Sequence, residues 1–245
     1  SVPSSKALAI PATNPESVLD DFLAKEMAEG KLVGGESAFT LDPKNPAVLH
    51  ASRRLFTEVG NWGMVLEILT FEVEGAKTPE GKASLLAEKG LVEEEKLKNL
   101  EAAQASYEAA LAAWSAEPVA LDALERIHLR QRAYPALRGV YERALADTTK
   151  PTRRLPLLVA AAQLAEDRLE DPEGAILHYR AVLELAKDDP LALEGLRRLY
   201  LATQQWEPYV EVLIRSAEAA TSGEDAAQFL LTAGRVLNDR LGDAE

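Results

Sequence analysis

AEDRLEDPEGAILHYRAVLELAKDDPLALEGLRRLYLATQQW, residues 165–206, decides the fold of this chain. Two dipeptides punctuate it, Asp171–Pro172 and Asp189–Pro190. Proline at the first helical position gives up only an N–H that has no partner there. The acidic residue before it accepts bonds from the free N–H groups of the first turn and suits the positive end of the helix. After the second mark, Leu193, Leu196, Leu199 and Tyr200 step at helical spacing along one face. The stretch therefore predicts two helices joined at a proline.

Working outward, the same features return every 72 residues without a gap. Pro190 steps back onto Pro118 and Pro46, Trp206 onto Tyr134 and Trp62, Arg198 onto Arg126 and Arg54, and Tyr179 onto Tyr107. Residues 118–173 and 190–245 are identical at 16 of 56 positions. Shared alanines and leucines alone would not keep proline, arginine and an aromatic in register. A self-similar period of this kind marks an array of repeated units. Each 72-residue unit holds four helices, or two antiparallel hairpins of about 36 residues. Helix starts at Asn45–Pro46, Thr78–Pro79 and Glu117–Pro118 join the two above, and Pro135, Pro156 and Pro208 are also placed near helix starts. The expected helices run near 46–59, 62–76, 79–97, 101–115, 118–131, 134–147, 153–169, 172–187, 190–203, 206–220 and 225–241.

The first part of the chain does not repeat. Residues 1–14 are rich in Ser, Pro and Ala and read as a linker. Asn14–Pro15 opens a helix with Val18, Leu19, Phe22 and Leu23 on one stripe, ending near Gly30. Gly34–Gly35 then break any helix in the next stretch. Residues 1–41 are thus expected to be a separate arm or cap, and 42–245 the array.

Composition agrees with helices. Hydrophobic residues are 47% of the 245 and aromatics only 6%, with Ala and Leu dominant. The net charge of −13 is spread over both halves, which argues against nucleic acid and against an anionic membrane surface. There is no cysteine, hence no disulfide or thiolate metal site. The longest uncharged run, Leu155 to Ala165, is far too short to span a membrane, so no membrane insertion is expected. No signal-peptide pattern is visible, which favours the cytoplasm and leaves the periplasm open.

The quoted stretch resembles the tetratricopeptide repeat. DPEGAILHYRAVLEL is similar to that family's second helix, with Ala175 and Tyr179 in its small and aromatic positions. DPLALEGLRRLY is similar to its first helix, with Leu193, Leu196 and Tyr200 in the large apolar positions and Pro190 at the junction. The resemblance covers about 46–245. Arg197 and Glu125 stand where the family has a small residue, while Gly90, Ala162 and Gly234 supply small residues in the alternate hairpins. The resemblance implies an all-α, right-handed α-solenoid of antiparallel hairpins with a concave groove that binds extended peptides. The array breaks off in mid-hairpin: Asp239, Arg240, Leu241, Asp243 and Glu245 lie under Asp167, Arg168, Leu169, Asp171 and Glu173. Leu230, Val236, Leu237 and Leu241 are then left without a hairpin partner, as in a fragment of a longer array or an end covered by another chain.

Arg54, Arg126 and Arg198 are the leading candidates for a binding site. The resemblance places this position on the groove wall, where arginines grip carboxylates through paired, charge-assisted bonds. Arg130 and His50 share the face. The competing reading is structural, because Asp122 precedes Arg126 by four residues and Glu194 precedes Arg198 by four, the spacing of a solvated helix pair. Trp62, Tyr134 and Trp206 are expected to pack each second helix against the preceding hairpin, with peptide anchoring as the alternative. Tyr107 and Tyr179 are expected to be core wedges. His50 reads as a surface residue and His128 as half-buried packing. With His178 they offer no shared face at ligand spacing, so no metal is expected. The acidic run Glu93–Glu95 reads as a solvated helix face. No phosphate loop and no nucleophile paired with a base is visible, so no cofactor and no enzymatic activity are expected. The expected function is a scaffold that binds a peptide or protein partner, acidic in character. The alternatives are self-association through the C-terminal end, and an enzyme on a closed helical toroid.

Overall fold

Prolines and short polar side chains start the helices of this protein. The computed structural model describes residues 46–242; the helix expected from Asn14 to Gly30, and the 1–41 arm, lie outside them. The described elements are α1 (Pro46–Glu58), α2 (Trp62–Gly75), α3 (Pro79–Leu91), α4 (Leu100–Ala113), α5 (Pro118–Gln131), α6 (Tyr134–Asp147), α7 (Pro151–Asp167), α8 (Pro172–Leu185), α9 (Pro190–Ala202), α10 (Trp206–Ala219) and α11 (Gly223–Val236). α3 and α11 each continue into a π-helical turn, Val92–Lys96 and Leu237–Leu241. There is no strand among the described residues.

The caps act as the dipeptides suggest. Thr78, Asp171 and Asp189 accept the backbone N–H of Gly81, Gly174 and Ala192 at 3.1, 2.9 and 2.9 Å. Glu117 accepts that of Ala120 at 2.7 Å. Asn61, Asn99 and Ser222 do the same without a following proline. Each such cap stabilises a helix by about 1 kcal/mol. Pro156 departs from its expected place: it is the sixth residue of α7, inside the helix, because Pro151 already starts it. Several helices end on a left-handed residue, at Gly60, Arg132 and Gln204 and at Lys98 and Glu170. Only Gly60 does so without a Cβ penalty.

The chain divides into two compact units, residues 1–123 and 124–245, with the boundary inside α5. In the first, α1 to α4 pack in consecutive pairs. Leu49 and Phe56 of α1 meet Met64, Val65, Ile68 and Leu69 of α2 in one core cluster. Arg53 joins three helices by pairing with Glu72 of α2 at 2.8 Å and with Glu88 of α3. In the second unit each helix from α6 to α11 packs on the next.

Small residues set the closest approaches. Gly90 of α3 lies under the Tyr107 ring of α4, and Gly195 of α9 lies against the Tyr179 ring of α8. A Cβ at either glycine would come within 2.5 Å of the ring. Tyr107 and Tyr179 are fully buried, as expected of wedges. The small position expected at Arg197 and Glu125 is two residues earlier. Gly195 and Ala123 occupy it, both buried, while Arg197 stacks over Phe229 at 4.4 Å. The close approach falls at Gly195 because the Tyr179 ring packs over that turn of α9.

Candidate functional site

The predicted site residues lie on first helices of hairpins. Arg54 on α1 is exposed and bonds Glu58, one turn on, at 3.2 Å. Asp122 and Arg130 on α5 are exposed and Arg126 is half-buried. Glu194 and Arg198 on α9 are exposed, but Glu194 is not the main partner of Arg198, standing 4.0 Å from its Nη1. Arg198 instead donates from Nε and Nη2 to the two carboxylate oxygens of Glu166 on α7, at 2.6 and 2.8 Å. The Tyr179 hydroxyl donates to the same carboxylate at 3.3 Å. One acid thus joins α7, α8 and α9. Arg198 is held well above its usual range, chiefly by the hydrogen bond to Glu166. Burial first, and then the Glu166 charge, push the Tyr179 phenol up to about 12. The Arg198 side chain is 55% exposed, so solvent limits the pair to about 1 kcal/mol or less.

Sequence reading missed Glu166. A signal was present: Glu94 stands 72 residues before it, as Tyr107 does before Tyr179. The Tyr107 hydroxyl bonds Glu94 at 3.0 Å, and Ser106 bonds the buried Glu93 at 2.6 Å. Glu93 and Glu94 are therefore held by α4, not solvated as expected; only Glu95 is exposed.

The aromatic column was expected to pack against the preceding hairpin; the contacts it makes are with cations from the following helix. Lys96 lies over Trp62 at 5.3 Å, Arg168 over Tyr134 at 5.8 Å and Arg240 over Trp206 at 5.0 Å. Each cation closes the far end of the next helix onto the start of a second helix, with about 0.5–1 kcal/mol of stabilisation. His50 is exposed beside Arg53, and His128 is more deeply buried than expected. Burial, and then Arg138, lower the His178 pKa. No group of three metal-ligating side chains gathers among the described residues. No described helix is long and apolar enough to cross a membrane.

Between α5 and α7, over α6, lies an open cleft of about 150 Å³. Glu125 and Leu129 form one wall, and Ala160, Gln163, Asp167 and Arg168 the other. Leu137, Tyr141 and Leu164 line the cleft between them. Arg126 and Arg130 come directly after Glu125 and Leu129 on α5. The cleft is smaller than the roughly 300 Å³ of a small-molecule pocket, so its size suits the side chains of a bound segment.

The family model described as Tetratricopeptide repeat matches residues 120–155, which run from α5 into α7. No curated protein matches the chain. Among solved structures, yeast Tom70 is similar at 15% identity over 90% of this chain and 46% of that one, with a TM-score of 0.41. PilF of Pseudomonas aeruginosa is similar at 16% identity over 82% of this chain and 95% of that one, with a TM-score of 0.41. The APC/C hetero-tetramer Cut9–Hcn1 is similar at 15% identity over 89% of this chain and 42% of that one, with a TM-score of 0.39. The chain spans less than half the length of the first and third.

Proposed function

We propose that this chain of consecutively packed helices, matched by a tetratricopeptide repeat model over residues 120–155, binds a protein partner without chemistry. The partner offers a peptide or helix with acidic residues to the first-helix face of the second unit. The observation that carries this reading is the α5–α7 cleft, with exposed Arg130 beside it. Arg198 adds to the face with restricted capacity. Glu166 engages Nε and Nη2, and Nη1, with Glu194 4.0 Å away, bonds an incoming carboxylate only as Glu194 swings aside. The test is to capture a partner, purify it, and titrate it against the chain by calorimetry. R130E should weaken binding about tenfold at unchanged helicity, and L129E by a similar factor. Unchanged affinity in both variants removes this face as the site.

A second reading rests on α11. Leu230, Leu231 and Leu237 are 52%, 65% and 46% exposed, and nothing lies within 4 Å of a Cβ built on Gly234. This face suits self-association. Light scattering across concentration decides it: a dimer that L230E and L237E dissociate supports assembly, and a monomer at all concentrations rejects it.

A further inference from the structure

A second cleft lies between second helices. It lies between α8 and α10, over α9, and encloses about 270 Å³. Leu183, Leu196 and Val212 give it an apolar floor, each nearly inaccessible to solvent. Four charged side chains frame it: Arg180 and Glu184 one turn apart on α8, Glu211 and Arg215 one turn apart on α10. Opposite charges line both walls, yet no ion pair forms among these four within 4 Å.

Three donors are left over. The buried Nε of Arg215 has no acceptor, while its Nη2 donates to the Leu183 carbonyl at 3.2 Å. Arg180 is exposed and makes no ion pair among the described residues. The Tyr200 hydroxyl has no hydrogen-bond partner among them either. Burial raises the Tyr200 pKa, opposed by Arg180 and reinforced by Glu211 and Glu173, so the phenol keeps its proton at neutral pH. A buried donor without an acceptor is costly to keep. Elsewhere Arg53, Arg54, Arg138 and Arg198 have carboxylate partners, while Arg143 and Arg154 bond backbone carbonyls and Arg168, Arg197 and Arg240 stack on aromatic rings.

We propose that this second-helix cleft is a peptide site in which a partner's carboxylate side chain meets Arg180, Arg215 and the Tyr200 hydroxyl while an adjacent aliphatic side chain covers Leu183, Leu196 and Val212. The occupant is an alternating acidic–aliphatic segment. A basic side chain is disfavoured because it would meet the charges of Arg180 and Arg215 and leave the Arg215 Nε and the Tyr200 hydroxyl without an acceptor. Glu184 and Glu211 oppose the carboxylate and set the affinity low. This site is separate from the first-helix cleft, and the two readings fail independently.

The probe is a fluorescent Leu-Glu-Leu-Glu-Leu peptide, with its Gln and Lys counterparts, followed by anisotropy and by NMR of the labelled protein. The Glu peptide should bind, shift the methyl signals of Leu183, Leu196 and Val212, and bind about tenfold more tightly than the Gln peptide. R180Q, on an exposed side chain, should weaken it about threefold. Y200F should weaken it about tenfold. The paired change E184Q with E211Q should tighten it, whereas a merely structural rim would leave it unmoved. R130E and L129E should have no effect here. Methyl shifts elsewhere, equal binding of the three peptides, or weaker binding in the Glu-to-Gln pair would overturn the proposal.

Discussion

The glycine seats at Gly195 and Gly234 offer the same small residue to opposite surroundings. Gly195 of α9 lies against a buried tyrosine ring, and a Cβ there would be 2.5 Å from a ring carbon. Gly234 of α11 has open space above it. Gly90 of α3 sides with Gly195, under the Tyr107 ring. The lesson is that a missing side chain stabilises only where a neighbour occupies the vacated volume. Elsewhere the same residue is only a helix former of poor propensity.

That contrast can be broken from either side. The largest effect should come from emptying the seat. Tyr179→Ala should cost about 3–5 kcal/mol in urea unfolding followed by circular dichroism. Filling the seat comes next. Gly195→Ala should cost about 1–3 kcal/mol, since Tyr179 is fully buried and cannot yield. Gly234→Ala should instead stabilise by about 0.5–1 kcal/mol, and a loss there would show that another group covers α11 in solution. Tyr179→Phe should lose only the bond to Glu166, about 1 kcal/mol, and would sharpen how much of the seat is packing and how much is hydrogen bonding.

The smallest effect is a pH slope beside the same hairpin. The folded pKa of His178 is lowered, chiefly by burial. Its contribution is complete above the ordinary value of 6.5 and falls away as pH drops below it, because the unfolded chain then binds the proton more readily. His178→Gln should flatten that part of the stability profile relative to wild type. An unchanged slope below 6.5 would show that His178 is hydrated in solution.

Much of the fold was legible because its signals are local. All eleven helices after residue 45 were expected within two residues of their ends, the π-helical turns included. A proline at the first position and an oxygen just before it act on N–H groups no more than three residues away. The candidate site was harder. The arginine column was visible, and so was the acid one turn before Arg198. The stronger partner was not chosen, because Glu166 comes from another helix, 32 residues back. Glu93 and Glu94 were misread for the same reason: three acids in a row look solvated until α4 brings Ser106 and Tyr107 to them. Arg180 and Arg215 drew no notice, since a lack of carboxylate partners cannot be seen in a string of residues.

Periodicity, caps and charge balance come from the order of residues alone: they are short-range or additive properties, so an all-helical repeated chain without a basic surface was readable at once. Which carboxylate each arginine holds, which glycine carries a ring and which cleft keeps unused donors depend on groups tens of residues apart. Packing alone decides those pairings, because bonds and contacts of this kind act only over a few ångströms and the chain must fold before the groups can meet.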